Sequence, residues 1–188
     1  LYDLLLGLDI KSKDEVLIPS YICSSAQNAI LKIGAIPIYY DNEENSWISA
    51  YNKIQEAVTE RTKVIIINHT FGIQYDYEEI EKLKSLNLFL IEDCAHYISS
   101  DLEDIKTSNL FIASFYSFNA TKLLATGEGG AICTNDKNLI YELSKYKLDS
   151  GISDLNAFLG LSQLEQFNEF LEKRMIIANK YCNHLGNI

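Results

Sequence analysis

Lys122 stands between an apolar run, Phe111–Phe118, and a glycine cluster of Gly127, Gly129 and Gly130. The run has the composition of a buried strand. An amine just past such a strand end is held near the low-dielectric interior, where burial disfavours its charged form. A neutral amine on a rigid support is what Schiff-base chemistry needs. Taken alone, the lysine reads most simply as a solvated loop residue. Asp93 changes that reading. The apolar run Leu86–Ile91 ends in Glu92-Asp93-Cys94-Ala95-His96, and open α/β sheets bind ligands beyond the carboxyl ends of their strands. A lysine and a carboxylate at two such ends match the arrangement that holds pyridoxal phosphate (PLP). There the amine forms the Schiff base and the acid pairs with the pyridinium nitrogen.

With these residues in view, the sequence resembles the DegT/DnrJ family of PLP-dependent nucleotide-sugar aminotransferases, members of the aspartate aminotransferase superfamily. The resemblance rests on Ile-Glu-Asp-Cys-Ala-His (91–96), Ser-Phe-Asn-Ala-Thr-Lys (117–122) and Thr-Gly-Glu-Gly-Gly-Ala (126–131). It extends to 14–21, 34–37, 61–63, 68–72, 153–157 and Gln163-Leu164, in order along nearly the whole chain. A single motif of this kind is weak; the ordered series is specific.

The resemblance assigns roles residue by residue. It makes Lys122 the Schiff-base lysine and proton carrier, and Asp93 the partner of the ring nitrogen; an Asp at a strand end also serves as a plain helix cap. His96 falls where the family has Gln near the phenolic oxygen of the ring, and an imidazole can donate one hydrogen bond there. Ser117 matches the serine that contacts the cofactor phosphate. Gly127, Gly129 and Gly130 match a loop that shapes the mouth of the site. Cys23 departs from the family, which places an aromatic ring there to stack on the cofactor; Tyr21 is the nearby alternative. Gly151 stands near the place of a partner-subunit contact, and His69 reads as structural first. The family's remaining phosphate turn would precede Leu1. Members also carry a longer C-terminal domain, so the chain reads as a fragment, truncated or trimmed form.

The elements that must position these residues follow from pattern. Strands are predicted at Val16–Ile18, Ile36–Tyr40, Lys63–Asn68, Leu86–Ile91 and Phe111–Phe118, with Gly130–Thr134 returning antiparallel. Helices are predicted near Leu1–Leu8, Ser24–Ile33, Ala50–Val58, Asp76–Ser85 and Asp136–Leu148. From Ser153 to Leu185 the helical period gives one long helix or two, broken near Gly160 or Phe167. The expected fold is α/β: a three-layer sandwich around a mostly parallel sheet, the PLP-transferase large domain. Residues 1–150 would form the cofactor-binding domain, and 151–188 a long helix leading toward a small domain absent from this chain.

Composition narrows the partners. With 188 residues, 47% hydrophobic, the chain can bury one sizeable core. A net charge of −10 gives no general attraction for nucleic acid or anionic lipid. No run of 18 apolar residues and no signal-peptide pattern is present. Cys23, Cys94, Cys133 and Cys182 show no CxxC spacing, which argues against a metal site. Three of them lie in apolar stretches and read as reduced packing residues in a cytoplasmic protein.

The resemblance therefore implies transamination of a nucleotide-linked keto-sugar, with glutamate or glutamine as donor, in amino-sugar or cell-surface polysaccharide biosynthesis. It also implies a homodimer with PLP as cofactor. The alternative is a non-catalytic binding or regulatory protein on a degenerate PLP-transferase scaffold. Related dehydratases carry His at the lysine position, which Lys122 argues against. A dinucleotide-binding domain lacks its GxGxxG after the first strand.

Overall fold

The computed structural model describes residues 1–98, 109–146 and 151–186. They fall into two compact units, Leu1–Ser117 with Gly130–Ser150 and Phe118–Gly129 with Gly151–Ile188.

The first unit is built on β3, Thr62–Asn68. Its Val64-Ile65-Ile66-Ile67 is fully buried, as a continuous β-branched run must be when both faces of a strand are covered. Around it lie β1 (Glu15–Pro19), β2 (Ile36–Tyr40), β4 (Phe89–Asp93), β5 (Ala113–Ser117) and β6 (Gly130–Cys133). The strand order is β2-β1-β3-β4-β5-β6. The first five strands are parallel, and β6 returns antiparallel on β5. This is the mostly parallel α/β sheet that the sequence implies.

Successive strand residues point to opposite faces, and two cores result. Val64 and Ile66 join Val16, Ile18 and Ile91. Helices α1 (Tyr2–Gly7) and α2 (Ser24–Lys32) cover this face through Leu4, Leu5 and Ile30. Ile65 and Ile67 join Leu17 and Leu90. They lie under α3 (Tyr51–Glu56) and α4 (Tyr77–Lys84) through Ile54, Ile80 and Leu83. Helix α5 (Lys137–Lys145) adds Leu139 to the first core. It starts on Asp136, whose Oδ1 accepts from the Leu139 N–H at 2.8 Å, a side-chain cap that satisfies a free helix donor.

Two strands start later than the sequence reading places them. β4 starts at Phe89 instead of Leu86 and runs through Asp93. The three residues before it finish the exit from α4: Leu86 N–H donates to Leu83 O, and Asn87 N–H to Lys84 O. Asn87 adopts φ 55°, which suits a short amide side chain and ends the turn. β5 likewise starts at Ala113, not Phe111. The cysteines are a further correction: only Cys94 is buried, and Cys23, Cys133 and Cys182 are exposed thiols outside any disulfide. Cys133 ends the edge strand β6, and an apolar neighbourhood in sequence does not bury an edge residue.

The second unit holds α6 (Asp154–Glu165), α7 (Phe167–Leu185) and the loop 118–129. The helical stretch is two helices, broken at Gln166 (φ −101°, ψ 5°). Ser153 caps α6, its Oγ accepting from the Asn156 N–H at 3.2 Å. Among the described residues no helix is long and apolar enough to cross a membrane.

Gly130 begins β6 where a Cβ would lie 2.5 Å from the Tyr116 carbonyl oxygen. Gly130→Ala is expected to loosen the β5–β6 pair and cost about 1–3 kcal/mol, read from the urea midpoint.

Candidate active site

The carboxyl edge of the sheet gathers three of the residues singled out by sequence. Asn68 pairs with Asp93, and Asp93 with Phe115. Ser117 ends β5 two residues beyond Phe115. Strand alternation puts Asp93 and Ser117 on the face that carries Ile91, Val64 and Ile66.

Asp93 is 5% exposed. Its Oδ1 accepts from the Ala95 N–H at 2.9 Å, closing the turn that leads to His96. The main chain around it is tied to both neighbouring strands: His69 N–H donates to Asp93 O at 3.4 Å, and Cys94 N–H to Phe115 O at 2.9 Å. His96 is exposed, and its ring stacks on Phe71 with centroids 6.1 Å apart and planes 7° from parallel. Ser117 is half-buried.

Lys122 belongs to the second unit, five residues past Ser117 in sequence. It is half-buried in a turn closed by its own N–H on Asn119 O at 2.9 Å. The loop folds back on itself, Phe118 N–H donating to Gly129 O at 2.9 Å and Thr126 N–H to Phe118 O at 2.8 Å. Gly127 and Gly129 take φ 86° and 123°, a region that side chains with a Cβ rarely adopt. Helix α6 forms the seat of the loop. Gln163 Oε1 accepts from the Ala125 N–H at 3.0 Å. A Cβ on Gly160 would meet the buried Thr126 side chain at 2.8 Å.

On the opposite face of the sheet lies a charged group that the pattern reading did not place. Glu92 and His69 are 2% and 1% exposed. His69 Nε2 faces Glu92 Oε1 at 2.9 Å, and the Ser114 hydroxyl donates to Glu92 Oε2. Burial pushes the Glu92 carboxyl up. The His69 and Ser114 hydrogen bonds and the His69 charge outweigh it and hold the carboxyl below its ordinary value. Burial, then the Glu92 charge, pushes the Cys94 thiol far up. Burial does the same to the Tyr116 hydroxyl. Donor atoms of His69, Glu92 and Cys94 lie within 4.8 Å of one another, with the Glu92 oxygens already engaged by His69 and Ser114. The available signal was a charge inside a strand buried on both faces, which demands a partner; His69, at the end of the adjacent apolar run, supplies it.

A second unforeseen feature is aromatic. Tyr21 follows β1, Trp47 follows β2 and Phe71 follows β3. Their ring centroids lie 5.1 Å (Tyr21–Trp47), 5.0 Å (Trp47–Phe71) and 6.1 Å (Tyr21–Phe71) apart. All three are exposed. Strand order reverses between β1 and β3, the topological switch at which open sheets take ligands. Phe71 adopts φ 57°, a strained conformation for a bulky residue. Cys23 is exposed at the start of α2, its Sγ accepting from the Ser25 hydroxyl at 3.2 Å. A cavity of 680 Å³ opens elsewhere in the unit, lined by residues including Tyr97, Ser114, Tyr116 and Cys133 and by neither Asp93 nor Ser117. Residues 147–150, next to Gly151, lie outside the described set.

Residues 2–188 match the model of the DegT/DnrJ/EryC1/StrS aminotransferase family, and the chain belongs to that family. Among curated relatives, GDP-perosamine synthase of Escherichia coli O157:H7 is 32% identical over 201 residues, covering 98% of this chain and 55% of the relative. Among solved structures, the aminotransferase TlmJ of Streptoalloteichus hindustanus superposes with a TM-score of 0.87 at 27% identity, covering all of this chain and 56% of that one. NtdA of Bacillus subtilis, solved with bound cofactor PMP, gives 0.81 at 27% identity, covering 97% and 45%. The chain thus spans about half the length of the relatives it matches.

The pairing of Glu92 sets an acid dependence. Its folded value lies below the unfolded value of 4.5, so its contribution is complete above that pH and is lost as the pH falls through the folded value. The stability gap between wild type and Glu92→Gln is expected to shift in favour of the variant below about pH 4.5, measured as urea midpoints between neutral and acid pH.

Proposed function

We propose that the protein is a PLP-dependent aminotransferase that delivers an amino group to a nucleotide-linked keto-sugar, with glutamate or glutamine as donor. We further propose that it works in the cytoplasm as a homodimer, with residues 1–150 as its cofactor-binding domain. The observation that carries this reading is a buried carboxylate, Asp93, at the carboxyl edge of a parallel sheet, in a chain of an aminotransferase family. The name of the GDP-perosamine synthase relative supports a nucleotide-linked sugar as substrate.

The residues of the first unit suit PLP: a buried acid for its ring nitrogen and a half-buried hydroxyl for its phosphate. The amine of Lys122, in the second unit, is assigned to the aldehyde by the family resemblance. Bound PLP supplies an electron sink that lets an amino group move between two carbonyl carbons. Lys122 would be the residue that holds the aldehyde covalently, and its Nζ would be the proton carrier of the site. Asp93 would pair with the ring nitrogen. His96, stacked on Phe71, would donate to the phenolic oxygen, and Ser117 to the phosphate.

The second reading is a binding protein on the same scaffold. It is favoured by Cys23, whose small thiol stands where the family resemblance expects a stacking ring.

Adding PLP to the intact protein is expected to produce a visible absorption band. Lys122→Ala is expected to remove the band and lower turnover at least about 100-fold. A protein that binds PLP without transaminating any keto-sugar would favour the second reading.

A further inference from the structure

The rear face of β4 carries a buried charge that the proposed chemistry leaves unused. Glu92 and Asp93 are consecutive, so their side chains leave opposite faces of one strand. Any rotation of the main chain at one moves the other. His69 holds both residues, its imidazole on Glu92 at 2.9 Å and its main-chain N–H on the Asp93 carbonyl at 3.4 Å. Ser114 of β5 takes the other Glu92 oxygen. The result is a polar strut across β3, β4 and β5, directly behind the residue that faces the site.

This strut is not an economical way to stabilise a core. A well-packed apolar pair in the same volume matches or exceeds a buried charged one. The structure also leaves a cost in place, since His69 Nδ1 is buried with no hydrogen-bond partner among the described residues. Cys94 and Tyr116 adjoin the carboxylate and stay protonated. Glu92 is therefore the anion of the cluster. A buried polar group that adds no more stability than an apolar pair would, yet grips the main chain of a site residue, points to positioning.

We propose that Glu92, held by His69 and Ser114, is a positioning residue that fixes the Asp93 carboxylate for its pairing with the cofactor ring nitrogen. The inference rests on the PLP-enzyme reading above. It goes further by giving a role to residues on the face of the sheet away from the chemistry.

The test compares His69→Gln with His69→Asn in the intact protein. Glutamine carries its amide nitrogen near the place of Nε2 and can still donate to Glu92; asparagine carries it near Nδ1 and cannot. The readouts are the PLP dissociation constant, the pH midpoint of the bound cofactor's absorption band, and the thermal midpoint. His69→Asn is expected to weaken PLP binding about tenfold, the scale on which outer-shell partners tune a bound group, and to move the pH midpoint. His69→Gln is expected to restore both. Ser114→Ala, which only removes a hydroxyl, is expected to shift both in the same direction by less, and it decides the matter if His69→Asn does not fold. A folded His69→Asn or Ser114→Ala with a lower thermal midpoint but wild-type PLP affinity and pH midpoint would overturn the positioning role. A wild-type protein without a Lys122-dependent band would overturn the PLP reading itself.

Discussion

The parallel register of β3, β4 and β5 is the constraint on which the site depends. It sets Asn68, Asp93 and Phe115 level with one another and carries three strand ends to one edge. The register is held by burial on both faces, where a slip of one residue would turn Val64 and Ile66 from one core into the other. Each of those side chains is worth about 1.5–3 kcal/mol when fully buried, and a slip would force each into a core packed for its neighbour. The polar groups inherit their positions from the apolar ones.

That inheritance explains how one strand serves two purposes. On one face β4 continues Ile91 into Asp93, and on the other it continues Leu90 into Glu92. The first carboxylate has a main-chain donor at one oxygen; the second is met by an imidazole and a hydroxyl. Two adjacent acids can both lie inside a three-layer sandwich only because each finds donors on its own side. Neither could be exchanged for the other.

Much of this was legible in the sequence. The run Val64–Ile67 announces a central strand, the glycines around Lys122 announce a turn, and the ordered motifs point to the family. What was not legible is instructive. The start of β4 was read three residues early because Leu86 and Leu88 look like strand, while Asn87 and the last carbonyls of α4 make a turn of them. The Glu92–His69 pair was missed because its partners lie 23 residues apart, and only the sheet order makes neighbours of them. The aromatic group was missed for the same reason: Tyr21, Trp47 and Phe71 come from three separate loops. Local pattern gives elements; contacts between loops of different strands come from topology.

Gln163 and Gly160 seat a loop that lies 38 and 34 residues earlier, at Ala125 and Thr126. During synthesis the sheet strands leave the ribosome first, and the stretch around Lys122 emerges before the helix that shapes it. Its final conformation must therefore wait for the chain to be made past residue 163. Ordering of the lysine loop is a late event in the birth of the molecule, and a ribosome stalled before α6 would release a chain with its sheet strands complete and its reactive amine unseated.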